Sequence, residues 1–519
     1  MMKRILVLVS ILISSMAGAQ NVDFTQIKAW IDEGMTEVEQ DCILEAVLVS
    51  VPQNPNMGMN QQISSNTVFN TDSRRTGYFQ TREGDSGLLI HFLKTATLKD
   101  VPRFSVVTMN LKGAELRKCG DVGYGIYKLP EDSILEVKEQ GRDDIPVKLK
   151  KIDELTPADV FTLTRVDDLE FAFKDGAFSN VYEVHVQKSS INAGCNPSQK
   201  IDNWAGLLCD SEANSMYYIL STRTTWRRNG KAVPQGRGWV EGIILPNTDM
   251  PRYGGKVLGK YQILPMSQHA FRMSDESAWK TLAEWNWNDN VPEIHTTTGD
   301  KKQIQYEKVI PDIGEGELYS NTGGKVVRFR DMNNLVITAD KDDPNWRGII
   351  ANGALSVQCP SCNWWNWNEN RGKGLNLMVP INGLTASRVA LCFTFAAGKC
   401  NAEGARYFPC RWMVECSSDA RTWVKISDQS IILRPLPYSQ YKLEGENYDT
   451  SAEAGAGYTE HIVEIPASML GKSNLYVRIV PETKHAATLA YEGTENGSLH
   501  PRRNTTTIVN FGAVKVIYR

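Results

Sequence analysis

Histidine is scarce in this chain, with seven in 519 residues, and no two of them form an H-x-x-x-H pair. That excludes the helical histidine pair of H-E-x-x-H zinc proteases. After the first nineteen residues no apolar run approaches the roughly 20 residues that a membrane-spanning helix needs. Neither sign of charge dominates: 57 Lys and Arg face 60 Asp and Glu, for a net charge of −3. Nucleic-acid binders draw much of their affinity from excess cations, so this composition argues against that class. Hydrophobic residues make up 41% and charged residues 23%, enough for packed cores and unlike a disordered chain. Gly455-Ala456-Gly457 lacks a strand-to-helix context and reads as a loop, not a phosphate cradle.

What is present begins with a leader at 1–19. Lys3 and Arg4 form a basic start, Ile5 to Ile13 an apolar stretch too short to span a bilayer. Ala17-Gly18-Ala19 supplies the small residues that signal peptidase requires, making Gln20 the new N-terminus. No cysteine follows until Cys42, which argues against a lipid-anchored leader. The expected protein is exported, to the periplasm, the cell surface or the medium. Losing Lys3 and Arg4 takes its net charge from −3 to −5.

Export places the ten cysteines in an oxidising compartment, where disulfides are favoured over metal ligation. Six lie between Cys359 and Cys416. Arg388–Lys399 and Cys410–Cys416 read as an antiparallel hairpin, in which the position numbers of opposed residues have a nearly constant sum. Cys392 with Cys416 and Cys400 with Cys410 meet that condition within one bulge, and the even spacings put each strand's cysteines on one face. Both pairs are therefore expected as disulfides. Cys42–Cys119 and Cys195–Cys209 are weaker candidates. Cys359-Pro-Ser-Cys362 is a lone C-x-x-C; a structural zinc site needs a second ligand pair, and no thioredoxin-like pattern surrounds it.

The chain divides into 20–145, 146–273 and 274–519. A helix opens the first part, from the spacing of Phe24, Ile27, Trp30 and Ile31. Strand-like runs follow at Ile43–Val51, Gly77–Gln80, Gly87–Leu93, Phe104–Met109 and Gly123–Tyr127. A charged linker, Glu139 to Glu154, separates this part from a second of the same rhythm. There a weak helix at Thr156–Thr164 precedes strands at Val181–Gln187, Ser215–Thr222, Gly238–Leu245 and Lys260–Leu264. About nine strand candidates in 274–519, from Lys325–Phe329 to Thr507–Ile517, point to one antiparallel sandwich.

Several stretches carry a resemblance. Glu170–Gly176, Asn180–Gln187, Pro234–Ile244 and Gly259–Phe271, with Glu83–Phe92 in the first part, resemble an exported domain-of-unknown-function family of Bacteroidetes-type bacteria. The resemblance covers roughly residues 25–273, implies tandem OB-like barrels and brings no catalytic residues. Trp412–Trp423, Ile465–Val480 and Val509–Val516 resemble galactose-binding-like jelly-roll modules. The implied architecture is all-β: two OB-like barrels, then a jelly-roll β-sandwich.

The strongest chemical oddity is a near-repeat, Trp285–Asn290 (WNWNDN) and Trp365–Asn370 (WNWNEN), extended by Trp364. Indole faces stack on sugar rings and Asn amides bond hydroxyls, so Trp285, Trp287, Trp364, Trp365 and Trp367, with Asn366 and Asn368, form a candidate glycan platform. Strand alternation offers the plainer account, in which these Trp simply face a core.

Asp340, Asp342 and Asp343 supply oxygens for a structural calcium, or a solvated turn; the EF-hand spacing is missing. Gly84-Asp85-Ser86-Gly87 is similar to the nucleophile motif of trypsin-like proteases, but no histidine precedes Ser86, and it reads as a turn before a buried strand.

The expected protein is thus a non-enzymatic binding protein of the cell envelope, with glycan as ligand class and no cofactor beyond that calcium. Its rivals are a structural or adhesive protein that binds another protein, a nucleic-acid binder using a basic, aromatic-lined barrel groove, and a glycan-active enzyme with two carboxylates across a cleft.

Overall fold

The computed structural model describes residues 19–52, 75–119, 122–174, 178, 203–221, 224, 226, 233–246, 260–275, 278–285, 295–298, 301–306, 308–321, 326–329, 355–359, 372, 374–397, 411–427, 431–432, 459–482 and 507–519. It is an all-β structure.

The first part begins with β1 (Gln20–Val22) and α1 (Phe24–Asp32). The Asp23 carboxylate accepts the Gln26 N–H at 2.8 Å and caps α1, whose Phe24, Ile27 and Ile31 are buried. Gly34, at φ +90°, ends the helix run. Strands β2 (Cys42–Leu48), β3 (Thr76–Gln80), β4 (Gly87–Phe92), β5 (Val106–Asn110), β6 (Glu115–Cys119), β7 (Gly123–Leu129) and β8 (Ile134–Lys138) form one sheet in the order β6-β7-β4-β3-β2-β5-β8. Beyond β5 the chain stays beside the segment before β2, through Val38 N–H to Ala114 O and Leu116 N–H to Thr36 O. β5 and β6 thus act as one bent strand that closes a ring, with β4 and β7 parallel.

The second part repeats the scheme. Its strands are β9 (Lys148–Lys150), β10 (Leu163–Phe171), β11 (Asn203–Cys209), β12 (Ser215–Ser221), β13 (Arg237–Pro246), β14 (Tyr261–Leu264) and β15 (Phe271–Asp275). The ten-residue β13 pairs with both β10 and β14, so β10-β11-β12-β14-β13 closes on itself, with β12 and β14 parallel.

The helix expected at Thr156–Thr164 is corrected. Pro157–Asp159 is a single 3-10 turn, Phe161 takes φ +66°, and β10 starts at Leu163. Pro157 suits only a first turn, and the β-branched Val160, Thr162 and Thr164 suit a strand. The charged linker also holds β9, which pairs in parallel with β10.

The two parts meet tightly. Tyr78 stacks on Phe161 at 5.3 Å, the buried Gln80 side chain accepts the Leu163 N–H at 2.9 Å, and a Cβ on Gly87 would sit 2.4 Å from Val160 O.

The remainder forms two sheets, antiparallel throughout the described residues. One contains β16 (Lys280–Trp285), β17 (His295–Thr298), β18 (Lys301–Tyr306), β19 (Ile313–Gly314), β21 (Val326–Phe329), β22 (Leu355–Cys359), β24 (Val389–Ala397), β28 (Thr459–Ile465) and the long β30 (Thr507–Tyr518). The other contains β20 (Glu317–Ser320), β23 (Leu375–Pro380), β25 (Arg411–Ser417), β26 (Val424–Lys425), β27 (Ile431–Ile432) and β29 (Asn474–Pro481).

The expected hairpin of residues 388–399 with 410–416 is corrected here. β24 is flanked by β28 and β30, and β25 by β29 on one side and β26 and β27 on the other. Neither strand has a free edge for the other. Cys392 and Cys416 lie in different sheets as buried free thiols, so the Cys392–Cys416 disulfide is not formed. Cys42, Cys119 and Cys209 are also buried free thiols; Cys400, Cys410 and Cys195 lie outside the described residues.

Candidate functional site

Of the expected platform, only Trp285 is described. It ends β16 with 0% exposure, and its indole Nε1–H donates to Val309 O at 3.0 Å. Its ring edge lies between the two sheets, 3.3 Å from where a Cβ of Gly316 would stand. Trp285 as a ligand-contacting residue is therefore corrected: the second sheet covers the face to which strand alternation points it. Trp287, Trp364, Trp365, Trp367, Asn366 and Asn368 lie outside the described residues, as do Asp340, Asp342 and Asp343. Among the described residues no three His, Cys, Asp or Glu side chains cluster closely enough to hold a metal ion. Gly84–Gly87 is the turn that leads into buried β4, with Thr81 N–H bonded to Ser86 O.

The described residues assemble a different constellation, where the outer face of the second barrel meets the first. On β10 the side chains of Arg165 and Asp167 share a face; on β13 Trp239 and Glu241 do the same. The register sets Arg165 opposite Glu241 and Asp167 opposite Trp239. Arg165 donates from Nε to Asp167 at 2.8 Å, and its guanidinium lies 4.3 Å from the Trp239 ring centroid. From the segment after β8, Arg142 donates to Glu241 at 2.6 Å, and its guanidinium stands 5.3 Å from the ring of Phe104. Arg103 lies over that same ring at 4.4 Å.

Arg103 differs from the other two arginines. Its Nε donates to Val49 O at 2.8 Å, yet it makes no ion pair among the described residues. Burial, with Arg142 nearby and Glu241 in opposition, pushes its pKa down to about 10, so it stays charged at neutral pH. Phe104 beneath it holds φ +74°, a region a bulky residue rarely visits. Bonds from Phe104 N–H to Leu48 O at 2.7 Å and from Leu48 N–H to Ser105 O at 3.0 Å keep it there.

A second cationic cluster lies where α1 packs beside β6 and β7. Lys118 and Lys28 stand 3.6 and 5.2 Å from the Tyr124 ring centroid, and Asp32 pairs with Lys118 at 2.5 Å. Burial first, and Lys148 second, lower the Lys28 ammonium to about 8.

The sequence held a signal for part of the seam: Arg165-Val166-Asp167 and Trp239-Val240-Glu241 alternate as one-sided strands do. Nothing local marked Arg103, Phe104 or Arg142, whose meeting depends on how the barrels pack. The seam is also not the open groove of a single-strand nucleic-acid binder. Its arginines cover its own aromatic rings, and two of the three are already paired with carboxylates.

No protein family and no curated protein matches the chain. Among solved structures, it is similar to three cleaved adhesin domains of Lys-gingipain from Porphyromonas gingivalis. The K1 domain is 11% identical, over 43% of this chain and 99% of that one, with a TM-score of 0.20. The K3 domain is 12% identical, over 33% and 75%, at 0.17, and the K2 domain 10%, over 47% and 98%, also at 0.17. At these values the likeness carries no argument about function.

Proposed function

We propose that the chain is an exported, non-catalytic binding protein of the cell envelope that adheres to a surface glycan. Its contact face is the seam between two barrels of the OB-like kind. The observation that carries this reading is the arginine–aromatic constellation of Arg103, Phe104, Arg142, Arg165 and Trp239. It places cationic donors at the barrels' outer seam and, among the described residues, leaves one of them without an ion pair. The closed rings built around parallel pairs β4/β7 and β12/β14 support the barrel type. The export leader supports the location. Trp287, Trp364, Trp365 and Trp367, with Asn366 and Asn368, remain a proposed second contact, because adjacent indoles and amides suit sugars. The test is the chain from Gln20 to Arg519 on a glycan array, with the Arg103→Gln and Trp239→Ala variants beside it. Retained glycan binding in both variants removes the seam from the reading, and an empty array removes the reading itself.

A second reading, adhesion to another protein, is favoured by β8. Among the described residues this strand pairs only with β5, and its Leu135 and Val137 are 56% and 39% exposed, an edge with apolar side chains. Capture of envelope proteins that Val137→Lys abolishes, with the glycan array empty, would select it.

A further inference from the structure

We propose that Arg103 is the receptor for a carboxylate carried by the ligand, the uronate group of an acidic glycan. The inference rests on the glycan reading of the seam and adds the ligand's charge and the atom that recognises it. Three guanidiniums gather at the seam, and the protein supplies two carboxylates for them: Asp167 for Arg165 and Glu241 for Arg142. The third guanidinium, that of Arg103, has none among the described residues. Glu241 offsets its burial only from a distance; a half-buried cation without a direct ion pair is costly, and pairing within the fold is the usual remedy. Here the cation is held in place instead. The Phe104 ring lies against the guanidinium, and Val49 O takes its Nε–H. Among the described residues neither Nη atom has a hydrogen-bond partner, and Arg103 is only half-buried. A planar fork with free Nη donors matches a carboxylate, which accepts two parallel N–H bonds. Pinning the fork in advance lowers the entropy lost on binding. Phe104 supplies that pinning from a left-handed backbone that only the surrounding bonds sustain. Arg142, beside the same ring, adds positive potential, while its own bond keeps Glu241 occupied.

The experiment compares immobilised polygalacturonate, its fully methyl-esterified form and a sulfated neutral glycan, using the chain from Gln20 onward. The expected result is at least tenfold tighter binding to the free acid than to the ester. Arg103→Gln should erase that preference and Arg103→Lys should weaken it. Lys425→Gln, whose ion pair with Glu482 lies in the sandwich and outside the seam, should leave it unchanged. The Arg103 Nε resonance of the unmodified protein, titrated with galacturonate, should shift, and this readout needs no folded variant. Equal binding of acid and ester, or a preference that survives Arg103→Gln, overturns the inference while leaving glycan binding in place. A stronger response to the sulfated glycan, or full competition by polyglutamate, overturns the uronate assignment. If no glycan binds, the glycan reading fails, and a static Arg103 resonance then rejects the carboxylate site as well.

Discussion

Glu460, on the edge strand β28 of the sandwich, accepts the backbone N–H of Leu207 in the second barrel at 2.6 Å, with both residues buried. Tyr217 of the barrel donates its hydroxyl to the Glu460 carbonyl. Trp279, just before β16, adds to the joint. Its backbone N–H reaches both Glu170 oxygens at 3.1 Å, and its indole N–H reaches Asp210 O at 2.9 Å. One apolar core continues across this junction and includes Leu207, Cys209, Trp279, Ala390 and Cys392. Glu460→Ala strands the Leu207 N–H, at a cost of about 1–3 kcal/mol. Urea denaturation should show a lower midpoint with an unchanged slope, and barrel and sandwich should unfold together. An unmoved midpoint would mean that the joint contributes nothing.

Trp285 and Trp239 should separate core from surface. Trp285→Ala removes a wholly buried ring and should cost about 3–5 kcal/mol. Trp239→Ala, on the barrel's outer face, should cost clearly less. Thermal melts of the two variants measure the difference, and an equal loss would place Trp239 in a core.

Cysteine chemistry gives a third check. Burial pushes the Cys392 thiol up to about 12 and the Cys416 thiol up to about 11, so both stay protonated at neutral pH. Iodoacetamide should label neither in the native protein and both in denaturant. A linked Cys392–Cys416 peptide recovered from unreduced protein would contradict their placement in separate sheets.

Asp419 provides a pH signature. The backbone N–H groups of Thr422 and Arg421, then the Ser417 hydroxyl, hold its carboxyl down at about 2. The folded-state pKa lies below the usual 3.8, so the stabilisation is complete above about pH 4 and is lost as pH falls through 2. Asp419→Asn should therefore melt below the parent protein at pH 7. The gap should close between about pH 4 and pH 2; a gap independent of pH would reject the turn's role.

Much of the fold was legible because buried strands announce themselves. Gly87–Phe92 is a run of apolar residues and is nearly fully buried. β6 and β8 escaped notice because Glu115–Cys119 and Ile134–Lys138 mix charges into partly or fully exposed strands, where no core imposes a pattern. β10 was obscured by the Thr156–Thr164 stretch before it, where Pro157 and a left-handed Phe161 end a turn that looks helical on paper.

The sequence by itself determined the all-β class, the repeated layout of the first two parts and, on the recognised strand Gly238–Leu245, the shared face of Trp239 and Glu241. Those follow from the two-residue period of a strand, which is local. Only the tertiary structure decided which face is covered. It put Trp285 beneath a second sheet, gave β24 and β25 different neighbours and so parted Cys392 from Cys416. It also brought Arg103 and Arg142 to one phenylalanine ring while giving Arg103 no ion pair among the described residues. A strand's period assigns its residues to two faces, but burial and charge pairing depend on what other segments bring to each of them.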